Sequence, residues 1–193
     1  MRRRWGVWGA ALVGAAAVVA GLATRGAAAP SASSGCELGG VSVKAPAGWR
    51  CEALPDGATE ASLRLTPPAG EASATATLTV LVGTKRLADG ALEAEAAEQH
   101  AARLRNRAAW GVRTAGGLPK ESVRLPSGAR AVRFRDRVGS SLGAREQTLT
   151  CTLVADGGAR RLACAVATAA PEARDEIDAL VGRVLGSVAL KKR

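Results

Sequence analysis

The fold is decided by the stretch LTCTLVADGGARRLACAVAT, which covers residues 149–168. Its two halves alternate as β-strands do, and the Asp-Gly-Gly sequence at 156–158 is typical of a tight turn. If the two glycines at 157–158 form a two-residue loop, the register of the hairpin is fixed. Cys151 then lies directly opposite Cys164, on the same face of the hairpin.

The cysteines of this hairpin are placed for a disulfide. In the two-residue register Leu153 meets Leu162 on the cysteine face. The cysteine pair falls at a non-hydrogen-bonded site, where Cα atoms approach to about 4.5 Å. A three-residue loop would instead put the two cysteines on opposite faces. We therefore predict a Cys151–Cys164 disulfide.

The chain has four cysteines, so the other two are paired by elimination. We predict a second disulfide, Cys36–Cys51. Each bridge closes a loop of about 15 residues and should stabilise the fold by about 3 kcal/mol in the chain-entropy model. Only about one fifth of residues 30–193 are Leu, Val, Ile or Phe, which is low for a globular domain. The disulfides therefore compensate for a core that is rich in alanine.

The N-terminus has the layout of a bacterial export signal. Arginines at 2–4 precede an uncharged, largely apolar run, Trp5–Ala23, and small residues follow at 26–29. We predict a signal peptide over 1–29, with cleavage after residue 23, 28 or 29. An uncleaved inner-membrane anchor is the alternative, because 19 apolar residues are about enough to span a bilayer. Both interpretations place the chain from about residue 30 in the periplasm or outside the cell.

Charge and composition exclude several classes of function. The chain has 193 residues and a net charge of +10, but four of its 27 basic residues lie in the export segment. The remaining 23 bases against 17 acids give +6. There is no tyrosine, one phenylalanine and one histidine. Base-stacking recognition of nucleic acid needs several aromatic platforms, and a poly-histidine metal site needs several imidazoles. We expect no nucleic-acid partner, no metal and no cofactor.

The rest of the chain predicts an α+β fold. After a linker at 30–37, residues 38–193 form a single disulfide-stapled domain. Its antiparallel sheet of about six strands, mostly in hairpins, is accompanied by two main helices. One helix covers about residues 90–107 and the other begins at Pro171. His100 falls at the edge of the first helix's apolar stripe, where a half-buried polar side chain is the simpler interpretation and a proton carrier the functional one.

Three features carry a resemblance to a known family. They are the opening strand that ends in a Pro-Ala-Gly-Trp turn (Val41–Trp49), a meander of hairpins interrupted by one helix, and a closing helix with Ile177, Leu180 and Val184. The chain resembles the PsbP/Mog-type α/β/α sandwich superfamily over about residues 38–190. The two predicted disulfides favour its small periplasmic DcrB/LpqN-like branch. The resemblance implies a non-enzymatic protein that works by binding.

Enzyme signatures do not assemble in the sequence. There is no Gly-x-Ser-x-Gly nucleophile elbow, no His-Glu-x-x-His and no phosphate-binding glycine loop. His100 is the one imidazole available to a Ser-His-Asp arrangement. A small periplasmic hydrolase with an unrecognised site remains the alternative from another class.

The basic residues suggest a more specific hypothesis about binding. Arg133, Arg135 and Arg137 share one face of a predicted strand. The simpler interpretation is a solvated strand face, and the functional one is a docking patch for an anionic partner. We expect a non-catalytic exported envelope protein that binds a protein partner or an anionic envelope component. A membrane-anchored assembly factor, held by Trp5–Ala23, is a further alternative.

Overall fold

The computed structural model describes residues 35–54, 60–68, 77–109, 112, 114–117, 119–140 and 143–191. The predicted signal peptide or anchor at 1–29 and the first five residues of the linker lie outside these ranges. The described strands are β1 Gly35–Leu38, β2 Val41–Lys44, β3 Arg50–Leu54, β4 Glu60–Thr66, β5 Thr77–Gly83, β6 Thr114–Gly117, β7 Glu121–Arg124, β8 Arg130–Ser140, β9 Gly143–Asp156, β10 Ala159–Ala169 and β11 Ala189–Leu190. The two α-helices are α1 Leu92–Ala109 and α2 Arg174–Gly186.

The strands form two antiparallel sheets. The large sheet has the order β3-β4-β5-β10-β9-β8-β6, and β7 also pairs with β8, which makes eight strands. The small sheet has the order β1-β2-β11. The predicted α+β class with two main helices is confirmed. The structure describes eleven strands, more than the six or so predicted; three of them, β1, β6 and β11, are two to four residues long, too short for alternation to reveal them.

The hairpin of β9 and β10 has the register that the sequence predicts. Asp156 pairs with Ala159 across a two-residue turn, and Cys151 pairs with Cys164. Both turn glycines have positive φ, +55° at 157 and +97° at 158, as a type I′ turn requires. Each turn position favours glycine, so the Gly-Gly dipeptide sets the register of β9 and β10.

Helix α1 covers one face of the large sheet. Its buried residues are Leu92 and Ala96, which pack on alternate residues of β8, β9 and β10. Val132 and Phe134 contribute from β8, and the Cys151–Cys164 pair lies in the same cluster. We call this side of the sheet the α1 face.

Helix α2 covers the opposite face, which we call the α2 face. Its inward side chains pack on the alanines at 163, 165, 167 and 169 of β10 and on leucines and valines of β4 and β5. The small sheet joins this core through Val41 and Val43. Gly182 of α2 lies so close to the β7–β8 turn that a Cβ there would meet Pro126 Cδ at 3.0 Å. Small residues therefore let the helix approach both the sheet and the turn.

The domain begins earlier than predicted. Strand β1 occupies the last three positions of the linker predicted at 30–37, and its Cys36 is 4% exposed. Pairing with β2 and the disulfide to β3 hold this segment, and four residues of strand carry too little pattern to predict. In the described ranges, none of the helices has the length and apolar content to span a membrane.

Candidate functional site

The structure joins the four cysteines in the two predicted pairs. Cys151–Cys164 bridges β9 and β10 in the middle of the large sheet, with Cα atoms 4.1 Å apart. Both cysteines are almost fully buried. Cys36–Cys51 joins β1 of the small sheet to β3 at the edge of the large sheet. One bridge therefore lies inside a core, and the other ties the two sheets together.

The predicted arginine patch does not form an exposed surface. The side chains of Arg133 and Arg135 are only 12% and 8% exposed. They lie on the α2 face beneath the helix, where Arg133 Nη1 donates to Asp178 Oδ2 at 2.7 Å and Arg135 bonds to the same oxygen. Arg137, beyond the helix, is exposed. The structure thus separates Arg137 from the other two.

Acidic side chains neutralise the buried arginines. Arg135 also bonds to Glu121, and its Nε lies 3.5 Å from Glu146 Oε1. Arg174 of α2 completes the cluster by donating to both oxygens of Glu146, at 3.0 and 2.5 Å. Three arginines and three acids therefore balance. We call this set, Arg133, Arg135, Arg174, Glu121, Glu146 and Asp178, the α2 cluster.

Burial has an electrostatic consequence in the α2 cluster. Burial lowers the pKa of the Arg133 guanidinium from its ordinary value, and the negative charge of Asp178 opposes that shift. The guanidinium stays charged under ordinary conditions because its pKa starts so high. The cluster therefore works as internal structure: its cations are occupied by its own acids.

His100 lies on the α1 face in a second polar cluster. Its Nε2 donates to both carboxylate oxygens of Asp136 at 3.1 Å, and its ring stacks on Phe134 with centroids 4.4 Å apart. The Asp136 side chain is 3% exposed and also accepts from Arg107 Nη1 at 3.1 Å. The half-buried position predicted for His100 is confirmed, and its partners are residues that the sequence did not single out.

The α1-face cluster continues along the sheet. Arg107 also bonds to Gln147, whose Nε2 donates to Thr168 Oγ1 at 3.1 Å. A histidine bonded to an aspartate is two thirds of a hydrolytic triad. In the described part of the chain, His100 makes its hydrogen bonds to Asp136 and none to a hydroxyl or thiol. Arg107 and Gln147 instead give the cluster the features of a structural network.

A groove of about 670 Å³ opens at the other end of α1. Leu92, at the start of α1, and Leu153 of β9 form its apolar floor. Arg130, at the start of β8, and Arg160, near the β9–β10 turn, lie at its rim. We call it the α1 groove. Its volume is in the range that ligand sites occupy.

The rim of the α1 groove carries both signs of charge. Asp89 bonds to Arg160, and Glu93 Oε2 accepts from Lys120 Nζ at 2.6 Å. This hydrogen bond, and then the charge of Lys120, lower the pKa of Glu93. Arg130 Nη2 is 3.9 Å from Glu93 Oε1, and its side chain is 72% exposed. Arg130 is therefore the rim cation with the weakest internal contact.

Sequence reasoning missed the α1 groove because its residues come from four separate segments. No local motif joins residues 89–94, 129–130, 152–153 and 160. Asp89 lies just before α1, where an acid by itself indicates only a favourable charge at a helix N-terminus. In the described ranges, no three metal-ligating side chains lie together.

The fold is PsbP-like, an antiparallel sheet with a helix on each face, as the sequence resemblance implies. The chain matches the solution structure of cyanobacterial PsbP (CyanoP) from Synechocystis sp. PCC 6803, with 16% identity and a TM-score of 0.53. The match covers 82% of this chain and 93% of that one. At this identity the likeness establishes the fold. No family model and no curated protein sequence matches the chain.

Two more distant structures are also similar to the chain. The Ran-binding protein Mog1p of Saccharomyces cerevisiae is 12% identical, with a TM-score of 0.48 over 83% of this chain and 96% of that one. LpqN of Mycobacterium tuberculosis, involved in cell envelope biogenesis, is 12% identical, with a TM-score of 0.37 over 82% of this chain and 85% of that one.

Proposed function

We propose that the chain is an exported protein of the bacterial envelope that acts without catalysis, by binding a protein partner. The observation that carries the proposal is the pair of disulfides. Both bridges connect strands, and disulfides of this kind persist in oxidising compartments such as the periplasm. The basic and apolar layout of residues 1–29 agrees with export.

Two features of the described residues support binding rather than catalysis. The α1 groove has an apolar floor and a charged rim, the composition of a recognition surface. The buried ionic groups are engaged with one another: the α2 cluster balances three cations with three anions. The groove is therefore the surface that we propose for the partner, because the charges of the α2 cluster are already paired within the protein.

Export and disulfide formation are tested together. The full-length chain is expressed in a bacterial host, cells are fractionated, and free thiols are alkylated before the proteins are resolved by mass. We expect the chain in the envelope fraction with no alkylated thiol. The intact mass shows whether Trp5–Ala23 is retained, which separates the anchored form from the secreted one. A cytoplasmic protein with four free thiols would contradict the proposal.

Partner binding is tested by cross-linking in envelope extract. The tagged chain is treated with a cross-linker, recovered under denaturing conditions, and its adducts are identified by mass spectrometry. We expect one protein to be enriched over a matched sample in which the chain was unfolded by reduction. Equal recovery with the reduced chain would mean that the folded surface has no partner.

A small hydrolase is the competing proposal, and the His100–Asp136 pair is the observation that favours it. The two side chains are within hydrogen-bond distance, as a general base and its orienting acid are. Ester or peptide hydrolysis by the wild-type chain, lost in His100→Gln, would favour this alternative. Hydrolysis that is absent in both proteins, or equal in both, would count against it.

A further inference from the structure

Two arginines face each other on the β7–β8 hairpin beside the α1 groove. Arg124 pairs directly with Arg130 across the two strands. Directly opposed residues of an antiparallel pair project to the same face, and like charges in that position destabilise a sheet. The fold places these two cations together, and Arg130 is one of the residues that line the α1 groove.

Contacts within the protein compensate the positive charges of Arg124 and Arg130 only weakly. Arg124 Nη1 donates to the backbone oxygen of Gly128 at 3.2 Å, which satisfies a donor but not a charge. The acid nearest to Arg130 in the described ranges is Glu93, at 3.9 Å, and Lys120 already occupies that carboxylate. The contrast with the α2 cluster is clear: there each arginine has an acid within 3 Å.

Two bases beside the groove add positive charge to a lining that is itself balanced. The groove is lined by Arg130 and Arg160 and by Asp89 and Glu93. Lys120, which bonds to Glu93, and Arg124, which lies opposite Arg130, are the two further bases next to it. An anionic group would complement the surplus, and a guanidinium can bind a carboxylate through two parallel hydrogen bonds. The charge at the rim selects for an acidic ligand.

The shape of the groove distinguishes among acidic ligands. Leu92 is buried and Leu153 is partly buried, whereas the side chains of Arg130 and Arg160 are 72% and 45% exposed, so the apolar residues lie deeper than the basic ones. A flat anionic membrane would meet the rim, including the carboxylates of Asp89 and Glu93, and would leave the floor empty. An extended peptide carries acidic and apolar side chains in alternation and can satisfy both parts.

From this geometry we infer that the α1 groove binds an extended acidic segment of a protein partner. A carboxylate of that segment pairs with Arg130, flanked by Arg124, and a neighbouring apolar side chain packs on Leu153 and Leu92. The inference rests on the proposed function, since it names the surface and the chemistry by which the partner is bound.

The test is a titration of the oxidised full-length chain with a fluorescein-labelled ten-residue peptide of alternating glutamate and leucine. Fluorescence anisotropy is followed for wild type, Arg130→Glu and Arg137→Glu. Arg137 is the matched control, because it is exposed on the same strand and undergoes the same charge change. We expect saturable binding that Arg130→Glu weakens by about tenfold and Arg137→Glu leaves within twofold.

Other outcomes would overturn the inference. They are absence of peptide binding, equal weakening by both variants, and equal binding of a lysine–leucine peptide. Binding to phosphatidylglycerol vesicles, without binding to the peptide, would assign the surface to lipid instead. Failure of this inference can be distinguished from failure of the proposed function. If an envelope partner still cross-links to Arg130→Glu at the wild-type level, partner binding is supported and only the assignment of the α1 groove as the binding surface is wrong.

Discussion

Helix α1 buries two of its 18 residues against the large sheet, whereas α2 buries six of its 13. The α1 face compensates with the Cys151–Cys164 disulfide and with the hydrogen bonds of Asp136. The α2 face has an extensive aliphatic core, and its ionic groups form the balanced α2 cluster. Polar contacts to a sheet that a disulfide braces hold α1 where apolar area is scarce, and apolar packing holds α2.

The difference between the two faces also indicates where the binding site lies. The α1 groove opens where α1 begins, on the face with less apolar packing. A helix with a sparse core leaves space between itself and the sheet, and Leu92 and Leu153 line that space. On the α2 face, alanines on β10 and Gly182 bring the helix close to the strands and to the β7–β8 turn.

The largest effects should come from the disulfides. The two bridges span 15 and 13 residues, so chain entropy alone gives each about 3 kcal/mol. Replacing Cys151 and Cys164 with alanine also leaves a gap in the α1-face core, and we expect a total loss of about 4 kcal/mol. The Cys36→Ala/Cys51→Ala variant should lose about 3 kcal/mol, because Cys51 is exposed. Urea unfolding measures both, and the reverse order would contradict the contrast between the faces.

The second prediction compares one buried acid on each face. Asp178→Asn removes the charge shared by Arg133 and Arg135, and guanidinium groups cannot lose their protons to compensate. We expect a loss of about 3 kcal/mol in the free energy of unfolding. Asp136→Asn should cost about 1 kcal/mol, since the amide oxygen can still accept a hydrogen bond from His100 and Arg107 keeps Gln147.

Urea unfolding of these two variants at neutral pH gives the comparison directly. Equal losses would mean that the His100 network holds α1 as firmly as the α2 cluster holds α2. A greater loss for Asp136→Asn would contradict the assignment of these roles to the two faces.

A smaller effect is expected where α2 meets the β7–β8 turn. In a helix interior, glycine to alanine usually stabilises by about 1 kcal/mol. Gly182→Ala should instead destabilise by about 1 kcal/mol, because the new methyl would lie 3.0 Å from the rigid ring of Pro126. In the control, Gly186→Ala, the nearest atom is the Ser127 hydroxyl at 3.3 Å, which can rotate away. Thermal unfolding should show a lower melting temperature only for Gly182→Ala.

The smallest effect concerns the rim of the α1 groove. Lys120 lowers the pKa of Glu93, so this pair contributes stability above the ordinary carboxyl range and loses it as pH falls through the lowered pKa. Lys120→Gln should raise the pKa of Glu93 toward its ordinary value, which an NMR pH titration measures. Lys85→Gln, which removes the partner of Glu95 instead, should leave the pKa of Glu93 unchanged.

Local chemistry made much of the fold predictable. The Gly-Gly turn fixes the register of β9 and β10, and that register places Cys151 opposite Cys164. The spacing of Ile177, Leu180 and Val184 marks the buried side of α2. These features depend on residues within one hairpin or one helix, so a single sequence carries them.

The candidate site was less predictable for a physical reason. Alternation in β8 shows correctly that Arg133 and Arg135 share a face, but it cannot show that a helix from 40 residues later covers that face. The partners of His100, which are Asp136 and, through it, Arg107, come from different elements. The α1 groove likewise needs four segments to meet.

The sequence by itself determined the disulfide hairpin, the two helices and the α+β class, because turn geometry and side-chain period act over a few residues. Only the tertiary structure decided which charges are neutralised and which reach solvent. That outcome depends on distances between residues remote in the chain: Asp178 reaches Arg133, and no comparable acid reaches Arg130 among the described residues. Two of the three arginines that first suggested a binding surface, Arg133 and Arg135, are neutralised inside the fold, and a different arginine, Arg130, borders the groove.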